Sequence, residues 1–201
     1  MTDSNKAVNP SKKALILEAA LSSFVENGIT NTSTASIAKR AGVATGTLFH
    51  HFANKQLLCD ELYREIKTQL SVEINQDLDG DLYSKGQTLW LKALEWFLNN
   101  PNALRFLQRY YLNIEALTNK VDDKAHTMAI FKELHQYLYD FFDQCLHESI
   151  VIDMPLDYLA LMAQNSIFSN AEFLLLYPNH NTETFKQQAC SSALNSLMKV
   201  N

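Results

Sequence analysis

One stretch, Thr34-Ala-Ser-Ile-Ala-Lys-Arg-Ala-Gly-Val-Ala-Thr-Gly-Thr-Leu-Phe-His-His-Phe52, constrains the fold more than any other part of this 201-residue chain. Two short helices that cross at about a right angle need a small residue where they touch, a residue that turns with positive φ, and apolar plugs facing the helix behind. Ala38 supplies the first, Gly42 the second, and Ile37, Ala41, Val43 and Leu48 the third. The stretch therefore reads as a helix-turn-helix.

Its surroundings fit that reading. Pro10 and Ser11 open a helix with Leu17, Ala20, Leu21 and Phe24 at i, i+3, i+4 and i+7, and Gly28 closes it. Thr32, Ser33 and Thr34 offer an N-cap for a second helix running to about Ala41, and a third covers about Thr45 to His51. Asn54 caps a fourth, which runs to about Leu78 with Leu58, Leu62, Ile66 and Leu70 repeating every fourth residue. Further helices are expected at about Tyr83 to Leu98, Asn102 to Leu117, Asp123 to Ser149, Pro155 to Leu176 and Thr182 to Val200. With five Gly, four Pro and 47% hydrophobic residues, the expected class is all-α with about nine helices. A helix-turn-helix domain at 1–55 would precede a helical effector-binding and dimerisation domain at 56–201.

The helix after such a turn is the one that enters a DNA major groove, its first residues toward the base edges. Here those are Thr45, Gly46 and Thr47: the hydroxyls and methyls can meet base edges, and the glycine lets the backbone come close. Lys55, just inside the next helix, is placed for a phosphate. His50 reads as groove- or phosphate-facing, whereas packing and a phosphate contact are equally open for His51. Charge agrees: residues 1–60 carry net +2 and the remainder −7.

The run from Ala14 to about Leu58, above all Ile37-Ala38, Ala41-Gly42-Val43, Gly46-Thr47-Leu48-Phe49-His50-His51-Phe52 and Asn54-Lys55, resembles the N-terminal domain of the TetR family of bacterial repressors. That resemblance implies a three-helix DNA-binding domain, a larger helical domain that dimerises and binds a small effector, and repression relieved by the effector. It also implies DNA contacts at Thr34, Thr45, Thr47, Phe49, His50, His51 and Lys55. Phe49 departs from the family pattern, which most often has tyrosine there, so packing is its alternative role.

The C-terminal part says less. Its aromatic-rich segment, Tyr83 to Phe142, is core by default, yet the same side chains would line an apolar cavity. Trp90, Trp96, Phe106, Tyr110, Asn113, Phe131, His135 and Tyr137 are the candidate effector-contacting residues. Two stripes, Leu156, Leu159, Ala160, Ala163, Ile167 and Leu174, then Phe185, Ala189, Ala193, Leu197 and Val200, are candidates for a dimer interface. Their alternative is to face the chain's own core.

Cys59, Cys145 and Cys190 are too few and too scattered for a disulfide framework or a CxxC metal site, so a reducing cytoplasm is expected. Asp143 and His147 lie four apart on one helix face, which an ordinary charge pair explains. No metal or cofactor is expected. Gln164, Asn165 and Asn170 interrupt the longest apolar run, so no membrane span is expected either. No glycine-rich phosphate loop, carboxylate pair or nucleophile elbow suggests an enzyme. The partners expected are double-stranded operator DNA, a second copy of the chain and a small effector. The competing reading is a helical ligand-binding or docking protein whose first three helices are only structural.

Overall fold

A computed structural model of the chain describes residues 10–76, 78–117 and 136–199, with backbone alone at 111–117. The described residues form helices α1 (Lys12–Asn27), α2 (Thr34–Arg40), α3 (Thr45–His51), α4 (Lys55–Ile74), α5 (Leu82–Asn99), α6 (Pro101–Leu117), α7 (Gln136–His147), α8 (Leu156–Leu176) and α9 (Glu183–Asn195), with a 3-10 turn at Pro178–His180. The expected all-α class is the observed one.

The chain divides into two compact units. The first holds the chain through Tyr63 and, from α6, the stretch beginning at Arg105. Ser11 caps α1 by accepting from Ala14 N, and Gly28 ends it at φ 81. Ile16, Ala20 and Phe24 of α1, Ile37 of α2, Leu48 of α3 and Leu58 of α4 are all fully buried and form its core. α6 contributes Phe106, stacked on Phe24 at 6.0 Å, and Tyr110, stacked on Tyr63 at 4.7 Å. The Arg109 guanidinium donates to Phe24 O at 2.6 Å and also to Val25 O. These contacts explain why α6 residues belong to the same unit as α1.

The second unit comprises Arg64–Leu104 and the chain from Gln136 onward. α8 runs through it with Leu159, Ala160, Ile167, Ala171 and Leu174 buried, and α5 packs along it with Leu89, Ala93, Leu94 and Phe97 inward. The Phe97 and Phe168 rings meet edge to face at 5.1 Å. The last helix stops at Asn195, and Val200, where the sequence ends that helix, lies outside the described residues. Beyond it the chain becomes extended and pairs with the α7–α8 connection: Ile152 N donates to Leu197 O at 2.9 Å and Lys199 N to Ile150 O at 3.0 Å. Of the expected Asp123–Ser149 helix, residues before Gln136 lie outside the described residues.

Candidate nucleic-acid interface and ligand cleft

The helix-turn-helix is built as its sequence requires. Ser33 is the residue that caps α2, its Oγ accepting from Ser36 N at 3.1 Å, and Thr34 is the first helical residue. Gly42 sits at φ 66, where a side chain would be strained. Val43 N donates to Ala38 O at 3.0 Å and so closes the turn over the small residue. α3 is anchored by Leu48, fully buried, and by Phe52 at its C-cap.

What remains of α3 faces outward. Thr45, Gly46, Phe49, His50 and His51 are exposed and Thr47 is half-buried. Phe49 is 47% exposed, so the ring does not pack into the core as its alternative reading would have it. The N-cap position is Ala44, which offers no side-chain hydrogen bond to the first amides of α3. Gly46 has negative φ, and a Cβ built on it would meet nothing within 4 Å. Folding therefore makes no demand for glycine at 46.

The nearby cations differ in their commitments. Arg40 clasps Glu26 through two nitrogens, one at 2.6 Å, which lowers the Glu26 carboxyl below its ordinary range. Lys39 in the last turn of α2 is exposed. Lys55 points into the α1–α2 loop and donates to Ile29 O, Thr30 O and Thr32 O at 3.0, 3.1 and 3.2 Å. An ammonium has three donors, and here all three meet carbonyls. Position just inside α4 places this side chain for a phosphate, but position alone does not show which way a long, flexible stem turns, and the fold turns it onto these carbonyls.

The second unit contains a narrow cleft, open to solvent at its mouth, with a cavity volume of about 50 Å³. Of the candidate effector residues, Trp90 and Tyr137 line it. The Trp90 indole donates to Ser166 Oγ at 2.8 Å, and burial pushes the Tyr137 hydroxyl well above the ordinary phenol range. Trp96 is half-buried against Phe97 and does not line the cleft. Phe106 and Tyr110 are elsewhere, in the core of the first unit, where the Tyr110 hydroxyl donates to Asp60 Oδ1 at 2.7 Å. The Asn113 side chain, Phe131 and His135 lie outside the described residues.

Two polar lining residues were missed: Lys67 of α4 and Gln164 of α8. Lys67 is only 2% exposed, its Nζ donates to Gln164 Oε1 at 3.1 Å, and burial lowers the ammonium from its ordinary 10.5 to about 7. A signal existed, because Lys67 falls on the apolar stripe Tyr63, Ile66, Leu70, Ile74 and Gln164 on the stripe Ala160, Ile167, Ala171. The three thiols are buried, and burial pushes Cys59 to about 12 and Cys145 and Cys190 to about 11, so they stay protonated near neutral pH.

The candidate dimer residues mostly face inward. Leu159, Ile167 and Leu197 are buried and Ala163 lines the cleft; Phe185 is half-buried and stacks on Phe173 at 5.4 Å, while Ala189 and Ala193 are half-buried. The exposed apolar residues of α8 are Tyr158, Leu161, Met162 and Leu176. At 3.6 residues per turn they share the opposite face of the helix. Among the described residues no helix is long and apolar enough to cross a membrane, and no group of His, Cys, Asp and Glu could hold a metal.

Comparison with known proteins agrees with this architecture. Residues 16–62 match the bacterial regulatory proteins of the tetR family. An HTH-type transcriptional regulator of Staphylococcus aureus (strain USA300) is 30% identical over 152 residues, 72% of this chain and 76% of that protein. The HTH-type transcriptional repressor KstR2 of Mycobacterium tuberculosis (strain H37Rv) is 43% identical over 54 residues, so the matched stretch spans only 27% of each protein. The crystal structure of a tetR family transcription regulator from Shewanella sp. PV-4 superimposes with a TM-score of 0.82 at 26% identity, covering 95% of this chain and all of that one. With its helix-turn-helix, helical second unit and near full-length relatives, the chain belongs to the TetR family of helix-turn-helix transcriptional regulators.

Proposed function

We propose that the protein is a cytoplasmic repressor that binds a pseudo-palindromic operator as a homodimer and is released by a small, largely apolar effector. The observation that carries the DNA reading is the outer face of α3. Its first amides lack a side-chain cap, and Gly46 is a glycine the fold does not require. Both features are costs to an isolated helix. Both are useful if a duplex lies against that face, where amides meet phosphates and a missing side chain lets backbone approach base edges. Thr45, Thr47 and His50 then supply base or phosphate contacts, and exposed Lys39 adds charge. Lys55 holds the α1–α2 loop, through which it supports the first residues of α2, Thr34 among them.

One seven-residue recognition helix meets too few bases to be selective alone, so a two-fold dimer reading half-sites about one helical turn apart is required. The exposed apolar cluster Tyr158, Leu161 and Met162 near the start of α8 suits self-association. Release follows if the effector prefers a conformation in which the two α3 helices no longer match successive grooves. α4 is the mechanical candidate: Lys55 near one end braces the loop before α2, and Lys67, Leu70 and Ile74 line the cleft. Selection of bound duplexes from a random pool, followed by footprinting, tests the proposal. Two symmetric protected half-sites and two chains per duplex are expected; one asymmetric half-site holding one chain would refute it.

A further inference from the structure

Phe49 is the large apolar side chain on the outward face of α3, with its ring 47% exposed. The core takes its anchors on this helix from Leu48 and Phe52 instead. The neighbouring rings pair among themselves, His51 with His50 at 5.5 Å and with Phe52 at 6.2 Å, and Phe49 joins neither pair.

Residues 45 and 46 lie four and three positions before it and so border it on the helix surface. A helical side chain leans toward the N-terminus, over that preceding turn. Thr45 is exposed there and carries a methyl. Gly46 carries nothing, and the space its Cβ would take has no atom within 4 Å. An exposed ring therefore stands beside an open space of about the size of a methyl group.

A phenyl ring has no hydrogen-bonding group, so it can pair neither with a phosphate oxygen nor with the donors and acceptors of a base edge. The apolar group that a major groove presents is the C5 methyl of thymine, which A·T pairs carry and G·C pairs lack. Phe49 is thus suited to one feature of the groove, and that feature carries sequence.

We propose that Phe49 is a specificity-determining residue whose ring, beside the gap at Gly46, packs on the C5 methyl of one thymine in each operator half-site. This rests on the reading of α3 as the recognition helix and names part of what that helix selects. Thr45 and Thr47 carry methyls of their own, which can also meet a thymine, so the test must separate them from the ring.

The full chain first selects a duplex from a random pool. Each thymine is then replaced in turn, in both half-sites together, by deoxyuridine, which differs only in lacking the methyl, and Kd is read by fluorescence anisotropy. At one position the exchange should weaken wild-type binding by about fourfold per half-site, hence about 15-fold in all, the effect of one buried methyl at each. Phe49→Ala removes an exposed ring, so it should melt within a few degrees of wild type. It should bind the thymine and deoxyuridine duplexes to within about twofold of each other at that position. A second readout needs no variant: with 5-iododeoxyuridine at the same position, irradiation should cross-link the wild-type chain at Phe49, as located by mass spectrometry. A half-site without thymine, deoxyuridine tolerated at every position, a sensitivity that survives Phe49→Ala, or a cross-link at another residue overturns the assignment and leaves α3 as the recognition helix. A wild type that enriches no sequence overturns both.

Discussion

Replacing Lys67 by methionine should make the protein more stable at neutral pH, and the gain should shrink as the pH rises. The folded chain holds the ammonium near 7 against 10.5 when exposed. At roughly 1.4 kcal/mol per tenfold change, keeping it folded at pH 7 costs about 4 kcal/mol. The sign follows from proton counting. A base whose folded value lies below its unfolded value penalises the fold fully below about 7, and the penalty fades between about 7 and 10.5. Methionine removes the charge, keeps most of the volume, and forfeits the hydrogen bonds of the ammonium, that to Gln164 among them, at about 1 kcal/mol each. The net gain at pH 7 is about 2–4 kcal/mol, a rise of roughly 5–10 °C in Tm. Thermal unfolding of both chains at pH 6, 7, 8 and 9 measures it. A variant less stable than wild type at pH 7, or a gain independent of pH, would refute the reasoning.

Gly46→Ala should stabilise α3 by up to about 1 kcal/mol, since a Cβ there meets nothing, yet lower affinity for a selected duplex; thermal melts and fluorescence anisotropy read the two effects separately. Lys55→Ala should cost about 1–3 kcal/mol of stability by freeing the carbonyls of Ile29, Thr30 and Thr32, and should leave the salt slope of DNA binding unchanged, whereas a phosphate contact would reduce that slope by about one. Leu161→Asp, on the exposed face of α8, should yield monomers in analytical ultracentrifugation with an unaltered helical spectrum.

The helix-turn-helix was legible in the sequence because its requirements are local. A small residue at 38, a positive φ at 42 and plugs at 37 and 48 sit within one crossing, and each turned out to do its expected job. Local chemistry also sets the α5 and α6 boundaries: Asp81 accepts from Ser84 N at the start of α5, and Pro101 is the first residue of α6. Legibility failed where the answer depended on distant chain. Leu197 continued a helical stripe on paper, but pairing with Ile152 draws it out of the helix and into the core. Phe106 and Tyr110 are aromatic like the cleft residues, yet α6 spends them on Phe24 and Tyr63. α8 has apolar residues on both faces, so periodicity could not say which face was inward; the side carrying Leu159 and Ile167 is. Lys67 went unnoticed because a lone lysine in a stripe reads as a solvated edge until the neighbouring helices close around it.

The central claim is that the outer face of α3 reads DNA, and it is tested most directly by the affinity of wild type and a Thr45→Ala, Thr47→Ala, His50→Ala triple variant for a duplex selected by the wild type. These side chains are exposed or half-buried, so the variant should melt within a few degrees of wild type. Its binding to the selected duplex should weaken at least 100-fold, with weak sequence-independent binding retained. A variant that binds the selected duplex as tightly as wild type, or a wild type that enriches no sequence at all, would contradict the account.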